Sequence, residues 1–283
     1  MKNKIKLFLP NQHSSGRGIG YYTENLISAY KDIDQIELTS KNPNIIHYPF
    51  FDLFYPSLPL AKRMPTVVTI HDVTPLVLSD LYPQGLRGRF SLQLQKLSLK
   101  SVSAILTDSN NSKEDIQKYL SVSPDKIHVT PLAVDPIYQK SVSQDKLEKI
   151  KQKYQLPENF VLYVGGVNPN KNIPSLIEAC QSLGVNLVLV GSEFTKPARQ
   201  TFSIKSKLGF QKTHPELKQL SLIKQKIKQD ASIQALGFVP TAELSAIYRL
   251  ASLYCQPSLY EGFGLPLLEA MTAECLVVSS NTS

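Results

Sequence analysis

Short runs of β-branched and aliphatic residues recur along this chain, each followed by a turn and then by a segment of helical periodicity. Residues 4–9, 44–48, 66–70, 103–107 and 126–129 form one such series, and residues 160–164, 186–190, 232–236, 253–256 and 276–279 a second. Runs this short and this continuously apolar read as strands buried on both faces of a parallel sheet. Helical spacing fits between them at 21–30, 86–100, 108–120, 172–183, 215–229, 241–250 and 265–273. Strand and helix alternating over two halves predict an α/β protein of two doubly wound, Rossmann-like domains, 1–140 and 141–283, with the polar stretch 136–145 as linker.

With 283 residues, 42% of them hydrophobic and 19% charged, the chain has the composition of an ordinary globular protein with a sizeable core. Its N-terminal apolar run is too short for a signal peptide, and no segment approaches the ~20 apolar residues of a membrane span. Cys180, Cys255 and Cys275 are scattered without metal-type spacing, which reads as reduced thiols in a cytoplasmic protein. The net charge of +8 is concentrated between Lys196 and Lys228, where nine basic residues face one acid, Glu216. With few aromatics and no binding module, this stretch argues against nucleic acid as a partner. Leu217, Leu220, Ile223 and Ile227 at helical spacing beside the lysines suggest instead peripheral contact with an anionic membrane face, against the plainer reading of a solvated helix.

The clearest chemical statement lies in residues 258–271, Ser-Leu-Tyr-Glu-Gly-Phe-Gly-Leu-Pro-Leu-Leu-Glu-Ala-Met. Gly262 and Gly264 permit a tight loop, and Pro266 suits the first turn of a helix. The expected strand, loop and helix would offer the free N–H groups of the helix N-terminus to a phosphate. Glu261 in the loop and Glu269 in the helix would accept from the hydroxyls of a sugar or ribose. Gly165 and Gly166, followed by Lys171, end the first strand of the second half, where a lysine serves a diphosphate as a point charge. In the first half, His71 ends a strand on the edge where open α/β sheets bind ligands, and Gly18 and Gly20 lie in a glycine-rich turn. No residue set has metal-ligand spacing. The two edges facing each other across a cleft would make a nucleotide-sugar site.

These motifs resemble those of the family 4 glycosyltransferases. The resemblance runs through Gly18–Leu26, Ile46–Pro49, Val68–Asp72, the loop 165–172 and residues 257–271. It implies GT-B architecture, two Rossmann-like domains facing a cleft, and retaining transfer without a metal or other cofactor. The donor would be a GDP- or UDP-linked sugar, and mannose is suggested. The acceptor would be a growing surface glycan or a lipid-linked one. By resemblance, Glu261 and His71 would stand at the transferred sugar and Glu269 at the donor ribose. Lys171 and the N–H groups at Phe263–Leu265 would hold the diphosphate, and the Gly18–Gly20 turn would approach the donor or acceptor.

Three positions depart from the family pattern. Gly166 and Asn170 stand where an arginine commonly neighbours the phosphate lysine, and Glu274-Cys-Leu276 replaces a Gly-x-Pro turn. The family also continues beyond the point where this sequence stops at Ser283, so the second domain is expected to be incomplete. A truncated, non-catalytic remnant or subunit bound to a partner glycosyltransferase is the alternative reading.

Overall fold

The structure of the protein, a computed structural model, describes residues 3–7, 18–196 and 215–283. It divides into two compact units, Met1–Leu132 and Ala133–Ser283. In the first, β1 (Asn3–Leu7), α1 (Gly18–Lys31), β2 (Ile36–Leu38), β3 (Ile45–Tyr48), β4 (Thr66–Thr69), α2 (Thr74–Val77), α3 (Leu86–Leu99), β5 (Ala104–Thr107), α4 (Asn110–Leu120) and β6 (Ile127–Val129) follow one another. The strands form one parallel sheet in the order β2-β1-β3-β4-β5-β6. Side chains alternate across it as the pleat requires. Tyr48, Val68, Ile105 and Ile127 face an apolar layer with Leu92 and Leu99 of α3 and Ile116 and Leu120 of α4. The intervening His47 and Thr69 lie buried on the other side, hydrogen-bonded to Tyr30 and Tyr22 of α1.

The second unit runs through α5 (Gln144–Tyr154), β7 (Phe160–Val164), α6 (Ile173–Leu183), β8 (Asn186–Val190), α7 (Ser192–Thr195), α8 (Pro215–Gln229), β9 (Ile233–Gly237), α9 (Thr241–Leu250), β10 (Leu253–Gln256), α10 (Leu265–Thr272) and β11 (Val277–Ser279). Its parallel sheet has the order β11-β10-β7-β8-β9. Here both faces are apolar. Leu162, Val188 and Val190 pack with Ile150, Ala246, Ile247 and Ala270, whereas Leu187 and Leu189 pack with Ile173, Ile177, Cys180 and Ile223.

Several sequence expectations change. The short strand β2 and the helices α2, α5 and α7 were not expected, the first because three residues carry too little pattern. The stretch expected as a linker instead folds: Asp135 caps a 3₁₀ turn over Pro136–Gln139 through the Ile137 N–H, and Tyr138 is buried in the second core. Residues 133–140 thus go with the second unit. The apolar stripe expected to meet lipid is turned inward, since Ile223 is buried in the second core with Leu220 and Ile227 against it. Much of the basic stretch, residues 197–214, lies outside the described residues, as do the turn residues 8–17. Among the described residues no helix is long and apolar enough to cross a membrane.

Candidate functional site

In the second sheet the chain winds from β7 outward through β8 to β9, then returns to place β10 on the opposite side of β7. The strand order therefore reverses between β7 and β10, the point at which open α/β sheets form a ligand crevice beyond their carboxyl ends. The loop after β7 holds Gly165, Gly166 and Lys171, and the loop after β10 holds Glu261, Gly262, Phe263 and Gly264. The structure brings them together: Lys171 Nζ donates to both carboxylate oxygens of Glu261, at 2.7 and 2.8 Å. Both side chains are largely shielded, 24% and 18% exposed, so water screens the pair less than at an open surface. Ser258 Oγ donates to the same carboxylate at 2.5 Å.

Asn170, which stands where an arginine was expected, ties the two loops to each other. Its Nδ2 donates to the Tyr260 carbonyl at 2.9 Å and its own carbonyl accepts from Leu259 N–H at 2.7 Å. Close backbone approach explains the glycines. A Cβ at Gly191, at the end of β8, would stand 2.2 Å from the Gly165 carbonyl oxygen, and one at Gly165 would stand 2.7 Å from the Tyr163 hydroxyl. That hydroxyl donates to the Gly166 carbonyl at 2.8 Å, fixing the turn from below.

Gly264 precedes α10 in the left-handed region, φ +86°, which an L side chain adopts only at a cost. No side chain caps this helix, and Pro266 in its first turn has no N–H to satisfy. The N-terminus is thus open to an anionic group, with Leu265 in its first turn. Glu269 lies one turn further in, hydrogen-bonded to two members of a tyrosine cluster. The Tyr248 hydroxyl is shared between Glu269 Oε2 at 3.1 Å and the Pro266 carbonyl at 3.3 Å, and the Tyr138 phenol also bonds the carboxyl. Tyr248 meets Tyr138 and Tyr254 edge-on, with ring centroids 5.8 and 5.6 Å apart. Burial is the main cause that raises Glu269 from 4.5 to about 7, opposed by the two tyrosine hydrogen bonds. Sequence reasoning missed these tyrosines because they lie far along the chain from Glu269 and carry no motif.

Glu274, where a Gly-x-Pro turn was expected, takes φ +64° and reverses the chain after α10, with Cys275 N–H donating to the Ala270 carbonyl at 2.9 Å. Its carboxylate points outward and meets Arg249 at 3.4 Å.

In the first unit, His71 and Asp108 follow neighbouring strands, β4 and β5. His71 Nδ1 lies 2.8 Å from Asp108 Oδ2, and Tyr22 meets the His71 ring edge-on at 4.6 Å. The loop expected at Gly18–Gly20 is instead the first turn of α1, with Gly20 buried. Gly18 has open space around its Cβ position, so local packing does not demand glycine there. Asp108 and Tyr22 had no sequence signal beyond their places after a strand and within a helix. No group of three or more His, Cys, Asp or Glu side chains suited to a metal occurs among the described residues.

Comparison with known proteins bears on the family and the fold. Residues 145–283 match the model of the family described as glycosyl transferases group 1, and residues 10–137 that of glycosyltransferase family 4. The O-antigen chain mannosyltransferase B of Escherichia coli is 31% identical over 230 residues, covering 81% of this chain and 56% of that protein. The O-antigen chain mannosyltransferase RfbU of Salmonella typhimurium is 30% identical over 232 residues, covering 80% of this chain and 54% of that one. The chain thus spans little more than half the length of these relatives. The structure of HepE from Anabaena in complex with UDP and glucose superposes with a TM-score of 0.67 at 16% identity, covering 100% of this chain and 82% of that one. The chain belongs to the family 4, group 1 glycosyltransferases, and its pair of parallel-sheet units is of the GT-B fold class.

Proposed function

We propose that the chain transfers a hexose from a nucleoside diphosphate sugar to a glycan or lipid-linked acceptor, with retention, in surface-polysaccharide synthesis. The observation that carries this reading is the Lys171–Glu261 pair beside the open end of α10, at the strand-order reversal of the second sheet. Lys171 and the helix N-terminus suit the charge that grows on a departing diphosphate. Glu261, one of whose oxygens already accepts from Ser258, is placed to accept from a sugar hydroxyl. Glu269, buried against Tyr138 and Tyr248, suits a ribose hydroxyl, which it can meet as donor or acceptor according to its protonation. The reading gives His71 a contact with the transferred sugar. The reading assigns no resident cofactor, the nucleotide-sugar being a substrate.

Mannose is the proposed sugar and GDP-mannose the first donor to try, because both quoted relatives are O-antigen chain mannosyltransferases. The three unpaired cysteines fit a reducing compartment, and the cytoplasm is the proposed location.

Calorimetric titration with GDP-mannose and UDP-glucose, followed by mass-spectrometric detection of transfer to lipid-linked glycans, tests the reading. Lys171→Ala is expected to weaken donor binding roughly tenfold to a hundredfold, the worth of a charged hydrogen bond. Glu261→Ala is expected to lower kcat by about 10²–10³-fold, as for loss of one preorganised polar group at a reacting centre. Absence of binding by either nucleotide-sugar would overturn the proposal.

A further inference from the structure

Strands β4 and β5 pair with Thr69 opposite Leu106. The residues two positions beyond each, His71 and Asp108, therefore leave the sheet side by side. The Asp108 side chain is only 6% exposed, and Oδ2 meets His71 Nδ1 at 2.8 Å. An ionised carboxylate can only accept, so the proton of this bond belongs to Nδ1. The other ring nitrogen, Nε2, is buried and has no partner among the described residues.

The ring is also held in place from the α1 side. Tyr22 packs edge-on against it at an interplanar angle of 88°. Tyr22 is anchored in turn, with its hydroxyl 3.1 Å from Thr69 Oγ1, which lies 2.9 Å from His47 Nε2. Tyr30 closes the chain at His47 Nδ1, 3.0 Å away.

We propose that Asp108 is a positioning residue. It holds His71 in the tautomer with the proton on Nδ1, so that Nε2 presents a lone pair to a hydroxyl of the transferred sugar. A lone pair of this kind accepts from a hydroxyl and repels a phosphate oxygen, which suits His71 to the sugar. This assignment rests on the role given to His71 under Proposed function. Removing the carboxylate frees the ring to carry its proton on Nε2, which turns the acceptor into a donor without changing the fold.

Two-bond ¹H–¹⁵N correlation spectra of the histidine-labelled chain, recorded without donor and assigned with His71→Gln, read the tautomer directly. In its neutral form the wild-type His71 ring is expected to carry its proton on Nδ1, and Asp108→Asn to show a mixture or the Nε2–H form. In transfer assays Asp108→Asn is expected to lower kcat about tenfold to a hundredfold, the usual scale for a group that orients a histidine, with KM for the nucleotide-sugar nearly unchanged. A wild-type ring protonated on Nε2, or an Asp108→Asn chain with unchanged tautomer and kcat, would overturn the proposal. The wild-type spectrum decides alone should the variant fail to fold. Normal transfer by His71→Gln would instead overturn the sugar contact together with the role of His71, a failure that ligand-free spectra keep separate from a wrong tautomer.

Discussion

The two sheets share one connectivity logic and are buried in different ways. The second sheet is apolar on both faces: Val188 and Leu162 look one way, Leu187 and Leu189 the other, and helices cover each side with aliphatic side chains. The first sheet has one such face, and on the other it sets His47 and Thr69 under α1, linked through Tyr22 and Tyr30. An apolar layer depends on area and packing, without directional demands. A buried polar layer depends on every partner being present, and in return it holds side chains at fixed angles. The polar layer lies under His71, which Tyr22 meets edge-on, and the apolar layers flank loops joined by contacts such as that of the Asn170 side chain with the Tyr260 carbonyl.

The largest expected effect concerns the apolar side of this contrast. Leu187→Ala removes a fully buried side chain from the second sheet, and about 2–5 kcal/mol of stability should be lost. Urea unfolding followed by hydrogen exchange should show that loss in amides of β7, β8 and β9. A loss spread equally over the first sheet would mean that the two units do not unfold separately.

A second contrast is in pH dependence, where the two units should respond with opposite sign. Burial first, and then the nearby His71, lowers His47 from 6.5 to about 4. The folded first unit thus disfavours a proton that the unfolded chain binds, so its stability is full above about pH 6.5 and falls as pH drops towards 4. Glu269 is raised from 4.5 to about 7. Its contribution to the second unit is full below about pH 4.5 and lost as pH rises through 7. Each effect is worth at most about 3 kcal/mol. Exchange protection measured in the two units from pH 4.5 to 7.5 should rise with pH in β3 and β4 and fall in α10. Parallel trends would break the contrast.

The smallest effect tests the polar layer itself. Thr69→Val keeps the shape and removes the oxygen that meets both Tyr22 and His47. Two buried groups lose a partner, at a cost of about 1–3 kcal/mol. A stability gain in differential scanning calorimetry would show that burial alone suffices on this face and that the hydrogen bonds are dispensable.

Much of this was legible beforehand because it depends on local pattern. Continuous β-branched runs such as Asn186–Val190 announce buried parallel strands, and Gly264 with Pro266 announces a turn into a helix. The spacing of Glu261 and Glu269 likewise follows from one loop and one helix. The short strand Ile36–Leu38 escaped notice, because three residues cannot show a period. Glu274 departs from the family's Gly-x-Pro, and the turn nevertheless forms, with its charge directed to Arg249 and solvent.

The partners of the site residues were not legible at all. Lys171 stands 90 residues from Glu261, Asn170 90 from Tyr260, His71 37 from Asp108, and Tyr248 21 from Glu269. The first three pairs are created by the side-by-side placement of strands and the fourth by the packing of α9 against α10, neither of which depends on neighbouring residues. Local composition and spacing therefore suffice for the longer strands and helices and for the turn into α10, and not for β2, α2, α5 or α7. Only the folded sheets decide which charges meet, which nitrogen of His71 stays free, and where burial moves a proton. Those outcomes depend on distances of a few ångströms between segments far apart in the chain, and on water being excluded from between them.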